Sequence, residues 1–259
     1  MRKKSRSLVL TLLVLTAIVA IAGENRDLEL TRPIETDPAR AAHSASERNG
    51  EAFEMRWKLG GFLGALAGLF VPNRGDALLT FVPGDDGKER IALLITAPKR
   101  KGEYYLYGAE IDLASGTTAA VWSSYHFKGK GKGSETEIDE PDVIDLASGI
   151  YHLRHNPPAE TIRATLWSDG DRYLAEVEPL RPERRKISGH KLEVQGFKVR
   201  GVKNPGHEEF DATFTVYFTR DGRATPVEIL GKRGWVKLRI ELTEEQITRL
   251  GRPASSTGS

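Results

Sequence analysis

The chain has 259 residues, no cysteine and nearly balanced charge, with 38 Lys and Arg against 36 Asp and Glu. The absence of cysteine excludes disulfides, zinc–thiolate sites, cysteine nucleophiles and a lipid anchor on a lipobox cysteine. Four of the basic residues lie within the first seven positions, which leaves 34 against 36 in the rest. Nucleic acid is therefore not expected as a partner, because nucleic-acid binders present a concentrated basic surface.

The N-terminus has the pattern of an exported protein. The four basic residues precede an uncharged apolar run over 8–22, which ends in Ala20-Ile21-Ala22. A basic start, a short apolar run and a small-x-small ending are typical of a signal peptide, and the run is shorter than the ~20 residues that span a bilayer. We predict a Sec-type signal peptide over 1–22, cleaved before Gly23, and a location in the periplasm or cell envelope. The alternative is that the apolar run is retained as an anchor.

The next segment, 23–50, is polar, contains Pro33 and Pro38, and shows no sustained apolar face. This composition predicts a flexible linker. At the other end, 251–259 are mostly small and polar and are predicted to be a disordered tail. The residues between them, 51–250, are predicted to form one domain.

Within that domain, short apolar runs alternate with turn signals, which is typical of an antiparallel sheet or barrel. The turns include Asp221-Gly222 and the segment from Gly231 to Gly234, where glycine supplies the positive φ of tight hairpins. The fold class that this pattern predicts is mostly β: an antiparallel, strongly curved sheet or barrel-like domain with one or two short helices packed on it. The predicted strands cover 77–82, 91–97, 104–113, 118–127, 161–167, 172–177, 191–202, 210–219, 226–230 and 235–242.

Two helices are predicted among the strands. Apolar residues recur at helical spacing from Val143 to Leu153, Pro141 suits a first helical position, and Asn156-Pro157-Pro158 would stop the helix. This helix, over 142–154, should lie against the sheet or plug one end of a barrel. A second short helix should follow Thr243, because the next three residues complete a capping box.

A glycine-rich apolar stretch runs from Gly60 to Phe70, with glycine at every fourth position from Gly60 to Gly68. It is too short to span a membrane. One interpretation is a glycine-rich strand or bend in the core. The other is a segment that contacts a bilayer surface, a partner helix or a lipid-lined pocket, with Phe62 and Leu66 as candidate contacts. Apart from a retained N-terminal segment, this stretch is the only membrane contact expected.

The run from Lys128 to Gly133 alternates lysine and glycine but lacks the spacing of a phosphate-binding loop. We predict a flexible basic loop, whose charge the acidic residues that follow can neutralise. Contact with anionic lipid or peptidoglycan is the alternative.

No motif indicates a catalytic, cofactor or metal site. His152 and His155 are three residues apart and could share a metal, but no third ligand is evident and the helix dipole also accounts for a histidine near a helix C-terminus. No Gly-x-Ser-x-Gly elbow occurs. We therefore predict no metal site, no cofactor and no catalytic residues.

Two segments resemble an exported bacterial family, domain of unknown function 3108 (DUF3108). The segment from Pro141 to Arg154 resembles its Asp-x-x-Ser-x-x-Tyr-x-x-Arg helix region, and the segment from Val216 to Ile229 is similar to its closing hairpin. The opening strand from Phe53 is also similar, so the resemblance extends to about Leu242. It implies a periplasmic, β-rich, barrel-like domain, and it supplies no catalytic residues. The glycine-rich stretch departs from the family pattern.

The function predicted from these observations is non-enzymatic: a binding or scaffold domain for an apolar ligand or an envelope protein. The candidate contact residues are Phe62, Leu66, Trp122, Tyr151 and Arg154. The alternative is a hydrolase of envelope polymers that uses a histidine of the predicted helix with a nearby aspartate, Asp142 or Asp145, in a cleft.

Overall fold

The computed structural model describes residues 34–60, 72–84, 86–97, 102–127, 129–168, 170–203 and 210–250. The predicted signal peptide, the predicted tail, and Phe62 and Leu66 lie outside these residues. The helices are α1 (Pro38–Glu47), α2 (Leu146–His155) and α3 (Glu244–Leu250). The strands are β1 (Glu51–Gly60), β2 (Arg74–Pro83), β3 (Lys88–Thr96), β4 (Tyr104–Asp112), β5 (Thr117–Phe127), β6 (Lys130–Glu137), β7 (Val143–Ile144), β8 (Ile162–Ser168), β9 (Asp171–Pro179), β10 (Glu183–Ile187), β11 (His190–Gly201), β12 (Ala212–Thr219), β13 (Pro226–Arg233) and β14 (Val236–Leu242).

These strands form one sheet. Along it the order is β6-β5-β4-β3-β2-β1-β14-β13-β12-β11-β9-β8-β7. Strand β10 pairs with the N-terminal half of β11, and β9 pairs with its C-terminal half. The short β7 is parallel to β8, and the other described pairs are antiparallel. Because β1 pairs with β14, strands from opposite ends of the domain meet in the middle of the sheet.

The sheet is strongly curved and does not close. The strand order ends in β6 on one side and β7 on the other, and β7 contacts β5. Helix α2 packs against β3, β4 and β7. This architecture confirms the prediction of a curved, mostly β domain with short helices packed on it. No helix in the described ranges is both long enough and apolar enough to cross a membrane.

Alternation along the strands builds the core on the concave face. In β1, Phe53, Met55 and Trp57 are buried, while the charged residues between them are exposed. In β12 the alternation fails at Tyr217, which is buried between Val216 and Phe218. The cause is the β10–β11 hairpin, which covers the outer face there and places the Arg185 guanidinium 4.1 Å from the centre of the Tyr217 ring.

The prediction of a flexible linker over 23–50 is wrong for its C-terminal part, which forms α1. Pro38 occupies the first turn of this helix, and the Asp37 carboxylate accepts a hydrogen bond from the Ala39 N–H at 2.9 Å. The helix packs on β1 and β2 through Ala45, which is fully buried. The buried residue of this helix is a small alanine, so the segment lacks the large apolar residues by which an amphipathic helix is recognised in a sequence.

Helix α2 starts later than predicted, because Asp145 and not Pro141 marks its beginning. The Asp145 carboxylate accepts a hydrogen bond from the Ser148 N–H at 2.7 Å, and the Ser148 hydroxyl accepts one from the Asp145 N–H at 2.8 Å. This reciprocal capping box fixes the first turn. The preceding Val143 and Ile144 are extended, because they pair with Thr165 and Leu166 of β8.

The predicted basic loop from Lys128 to Gly133 is instead largely part of the edge strand β6. Residues from Lys130 onward pair with β5 in continuous register, so main-chain hydrogen bonds hold a segment whose side chains show no strand pattern.

Strand β10 was not predicted, because its sequence from Glu183 to Ile187 is almost entirely charged. Helix α3 confirms the second predicted helix, with the Gln246 N–H donating to the Thr243 hydroxyl at 3.4 Å.

Candidate functional site: an apolar cavity beside α2

A cavity of about 320 Å³ lies between α2 and the concave face of the sheet. Its wall is mainly aliphatic and aromatic, with a few polar groups, and this volume lies within the ~300–1,000 Å³ of small-molecule sites. The apolar lining includes Leu146, Ile150 and Leu153 of α2, Leu166 and Trp167 of β8, Val177 of β9, Phe214 and Val216 of β12, Ile229 of β13, and Leu238 and Ile240 of β14.

Gly149 makes room for this cavity. It lies in the middle of α2, where glycine costs about 1 kcal/mol relative to alanine. A Cβ atom built on it would meet one neighbour within 4 Å, the Ile144 Cδ1 at 3.7 Å, and both residues line the cavity. A larger side chain at this position would therefore enter the cavity.

Asp145 is the most perturbed acid in the cavity wall. Its side chain is buried, and its Oδ2 atom has no hydrogen-bond partner among the described residues. Burial raises the pKa of this carboxyl to about 6, against the partial compensation of its hydrogen bonds with Ser148. The wall thus contains a carboxyl group that changes charge near neutral pH.

His152 also lines the cavity, but it does not pair with Asp145. Its Nε2 atom lies 3.0 Å from the Thr118 hydroxyl, and burial lowers its pKa. Asp145 and His152 are seven residues apart in sequence, which separates them by roughly 10 Å along the helix axis. The predicted acid–histidine arrangement of a hydrolase is therefore not assembled here.

The other groups of that hypothesis are engaged elsewhere. His155 packs on the Tyr151 ring with a centroid distance of 4.4 Å, and burial followed by the charge of Arg154 lowers its pKa. The Asp142 carboxylate accepts a hydrogen bond from the Thr165 hydroxyl at 3.4 Å. Among the described residues, no group of three or more His, Asp or Glu side chains is placed to hold a metal ion.

The predicted contact residue Trp122 does not line the cavity. It packs with Leu94 and Leu106 in a separate cluster, on the side of the sheet opposite its neighbour Val121, which belongs to the main core. Its indole also lies over Gly108, where a Cβ atom would come within 2.2 Å of the ring. Trp122 is therefore a packing residue of the outer face.

Tyr151 and Arg154 are on α2 but outside the cavity lining. Arg154 forms a bidentate pair with the Glu51 carboxylate, and its guanidinium lies 4.9 Å from the centre of the Phe81 ring and 5.6 Å from that of Phe53. Arg154 therefore holds the helix to the sheet, and Tyr151 is buried in the main core.

Asp221, which the sequence analysis placed in a turn, shapes the turn between β12 and β13. It accepts hydrogen bonds from the Thr219 hydroxyl at 2.6 Å and the Arg223 N–H at 3.2 Å. Burial alone would raise the pKa of Asp221, but these hydrogen bonds and the Arg223 charge together lower it.

The sequence contained one signal of the cavity, which is Gly149, a glycine inside a helical pattern.

No protein-family model matches the chain, and no curated protein matches it. The fold is similar to a beta-barrel-like protein of domain of unknown function DUF1849 from Brucella abortus, at 9% identity, 75% coverage of this chain, 95% of that chain and a TM-score of 0.32. It is also similar to the hypothetical lipoprotein YmcC from Escherichia coli K12, at 8% identity, 80% and 97% coverage and a TM-score of 0.33. A third similar structure is the Mycobacterium tuberculosis lipoprotein LppX, at 11% identity, 80% and 92% coverage and a TM-score of 0.28. These likenesses concern the fold alone, and membership of DUF3108 stays a prediction.

Proposed function

We propose that this chain is an exported, non-enzymatic protein of the cell envelope that binds the alkyl chain of an amphiphilic molecule. The observation that carries the proposal is the apolar cavity of about 320 Å³ between α2 and the sheet. A cavity with hydrocarbon walls favours hydrocarbon, because each methylene removed from water contributes ~0.8 kcal/mol. The signal-peptide pattern over 1–22 supports the envelope location, as does the predicted membership of DUF3108.

The walls favour a single flexible chain over a rigid polar molecule. Most lining side chains offer no hydrogen bond, and His152 already bonds to Thr118. Of the Asp145 carboxylate, Oδ1 accepts the Ser148 N–H, and only the buried Oδ2 has no partner among the described residues. A polar ligand would lose its bonds to water without replacing them, which costs ~1–3 kcal/mol per group. An alkyl chain has no such cost.

The test is a titration of the purified protein with a series of alkyl sulfates or fatty acids of increasing length, followed by calorimetry or native mass spectrometry. The Kd should fall roughly fourfold per added methylene, which corresponds to the transfer free energy above, and should level off when the cavity is full. Gly149→Leu, whose side chain would enter the cavity, should weaken binding and make the Kd level off at a shorter chain. Trp122→Phe, on the opposite face of the sheet, is the matched control and should bind like the wild type.

A Kd that does not depend on chain length would contradict the proposal. The same holds for a folded Gly149→Leu variant that binds as tightly as the wild type, since the ligand would then lie elsewhere.

A further inference from the structure

The turn between β13 and β14 presents one tryptophan to solvent. Trp235 is 81% exposed, whereas the other three tryptophans, Trp57, Trp122 and Trp167, are all buried. Gly234 has a φ of 54°, which allows the tight turn that holds the indole at the tip of the hairpin. Indole is rarely left in water by packing alone, because burying a large apolar side chain is worth ~1.5–3 kcal/mol.

Two lysines stand directly behind this indole. Lys232 and Lys237 face each other across the hairpin, both are exposed, and no carboxylate of the described residues forms an ion pair with either. Like charges placed opposite each other on antiparallel strands repel. The neighbouring Arg233 is different, because its Nε atom lies 2.6 Å from the Asp211 carboxylate. The tip therefore combines an unburied indole with two uncompensated cations.

The tip lies at the rim of the cavity. Arg233 and Val236, the residues immediately before and after the Gly234–Trp235 turn, both line the cavity wall. The turns that contain Asp86 and Asp112 lie at the other end of the strands, beyond β2 and β4. A surface that attracts the tip would thus meet Lys232, Lys237 and the rim of the cavity.

We infer that the β13–β14 tip docks on the surface of an anionic lipid bilayer, with Trp235 in the interface and Lys232 and Lys237 against the lipid head groups. Indole concentrates at the boundary between head groups and hydrocarbon, and each basic residue near an anionic membrane contributes binding free energy. The tip is too narrow for a protein interface, which needs about 800 Å² per partner. The two other exposed large apolar residues among those described, Leu113 and Ile162, lie on other elements and do not extend it.

The experiment measures the binding of the full chain, purified from the envelope in its processed form, to vesicles of phosphatidylglycerol and phosphatidylcholine in equal parts. Vesicles of phosphatidylcholine alone are the reference. Trp235 is the only exposed tryptophan, so the change in tryptophan emission on binding reports its transfer out of water. The three buried tryptophans add a constant background. The emission should shift to the blue and lose its quenching by acrylamide on anionic vesicles, and Trp235→Phe should remove most of this change. Added salt should weaken binding, because it screens the lysines.

The double substitution Lys232→Ala/Lys237→Ala should weaken binding to anionic vesicles about 30-fold, at about fivefold for each lysine. The chain offers a matched control: Lys186 and Lys191 also face each other, on the β10–β11 hairpin, and both are exposed. Lys186→Ala/Lys191→Ala should leave binding unchanged, because no exposed aromatic residue accompanies that pair.

The inference is overturned if the wild-type chain does not bind anionic vesicles, if Trp235 stays accessible to acrylamide when it does bind, or if the control pair weakens binding equally. Lys232 also lines the cavity, so the variant that separates this test from ligand binding is Gly149→Leu. Its side chain would enter the cavity and weaken alkyl-chain binding, but the variant should still bind vesicles, so a failure of one proposal can be distinguished from a failure of the other.

Discussion

Gly149 and Ile144 lie side by side in the wall of the cavity, and a Cβ atom on Gly149 would be 3.7 Å from the Ile144 Cδ1. This is an ordinary van der Waals distance, so a methyl group fits without displacement. The backbone of α2 therefore does not require glycine at this position. What the glycine provides is open space in the cavity next to the helix.

Gly149→Ala should raise the free energy of unfolding by up to ~1 kcal/mol, because alanine loses less backbone entropy in a helix than glycine does. It should leave alkyl-chain binding nearly unchanged, in contrast to Gly149→Leu. Urea unfolding followed by circular dichroism measures the stability. A large loss of stability in the alanine variant would show that the site has no room for a methyl group.

Asp145→Asn should change how stability depends on pH. The pKa of this carboxyl is about 6 in the folded chain and about 3.9 in the unfolded chain, so between these values the folded state binds more protons. The wild-type free energy of unfolding therefore falls as pH rises from about 4 to 6, by about 3 kcal/mol at most. Asparagine keeps the capping acceptor but does not titrate. Relative to the wild type, the variant should thus gain stability with rising pH across this window.

Urea unfolding at a series of pH values measures this difference. The contribution of His152, whose pKa burial lowers, has the opposite dependence on pH and is common to both proteins, so it cancels in the comparison. The matched control is Asp37→Asn, at the exposed cap of α1. If the control changed with pH as strongly as Asp145→Asn, burial at Asp145 would not be the cause.

Arg154→Ala should lower the free energy of unfolding by about 1–3 kcal/mol, because it removes the paired hydrogen bonds to Glu51 and the packing on Phe53 and Phe81. Arg154→Lys should recover only part of the lost stability, since an ammonium group cannot form the bidentate contact with Glu51. Arg184→Ala is the control, because the Arg184–Glu193 pair lies in solvent and should contribute at most ~1 kcal/mol. Equal effects at Arg154 and Arg184 would show that the α2 contact is no stronger than a surface pair.

Glu228→Gln should be the most destabilising of these changes. Glu228 is fully buried on β13 between two arginines, with the Arg185 Nε 2.7 Å and the Arg239 Nε 2.5 Å from its carboxylate oxygens. Removing this charge leaves Arg185 paired only with Glu183 and Arg239 only with Glu241, so the cost should lie near the lower end of the about 3–5 kcal/mol typical of breaking a buried ion pair. Glu183 contacts the same Arg185 from the solvent side, so Glu183→Gln should lower the free energy of unfolding by ~1 kcal/mol or less. A Glu228→Gln variant as stable as Glu183→Gln would show that water reaches the two arginines.

Local patterns in the sequence are enough to predict the class of the fold. Alternation in segments such as β1, and turn glycines such as Gly222 and Gly234, depend on residues close together in the chain. The same is true of α3, whose start at Thr243 follows from a local capping pattern. A period of two tells which residues share a face of a strand, and a capping box tells where a helix begins, because both are local properties of the backbone.

Which face of the sheet is concave, and what that face encloses, follows from contacts between distant parts of the chain. Val121 and Trp122 are consecutive apolar residues, so alternation could not assign the tryptophan to the outer face; the curvature of the sheet did. The burial that raises the pKa of Asp145, and the β10–β11 hairpin that covers Glu228, come from segments distant in the chain. The cavity is the space left between a short helix and strands up to ninety residues away from it along the chain. Such a space depends on how side chains pack in three dimensions, and no local pattern of the sequence encodes it.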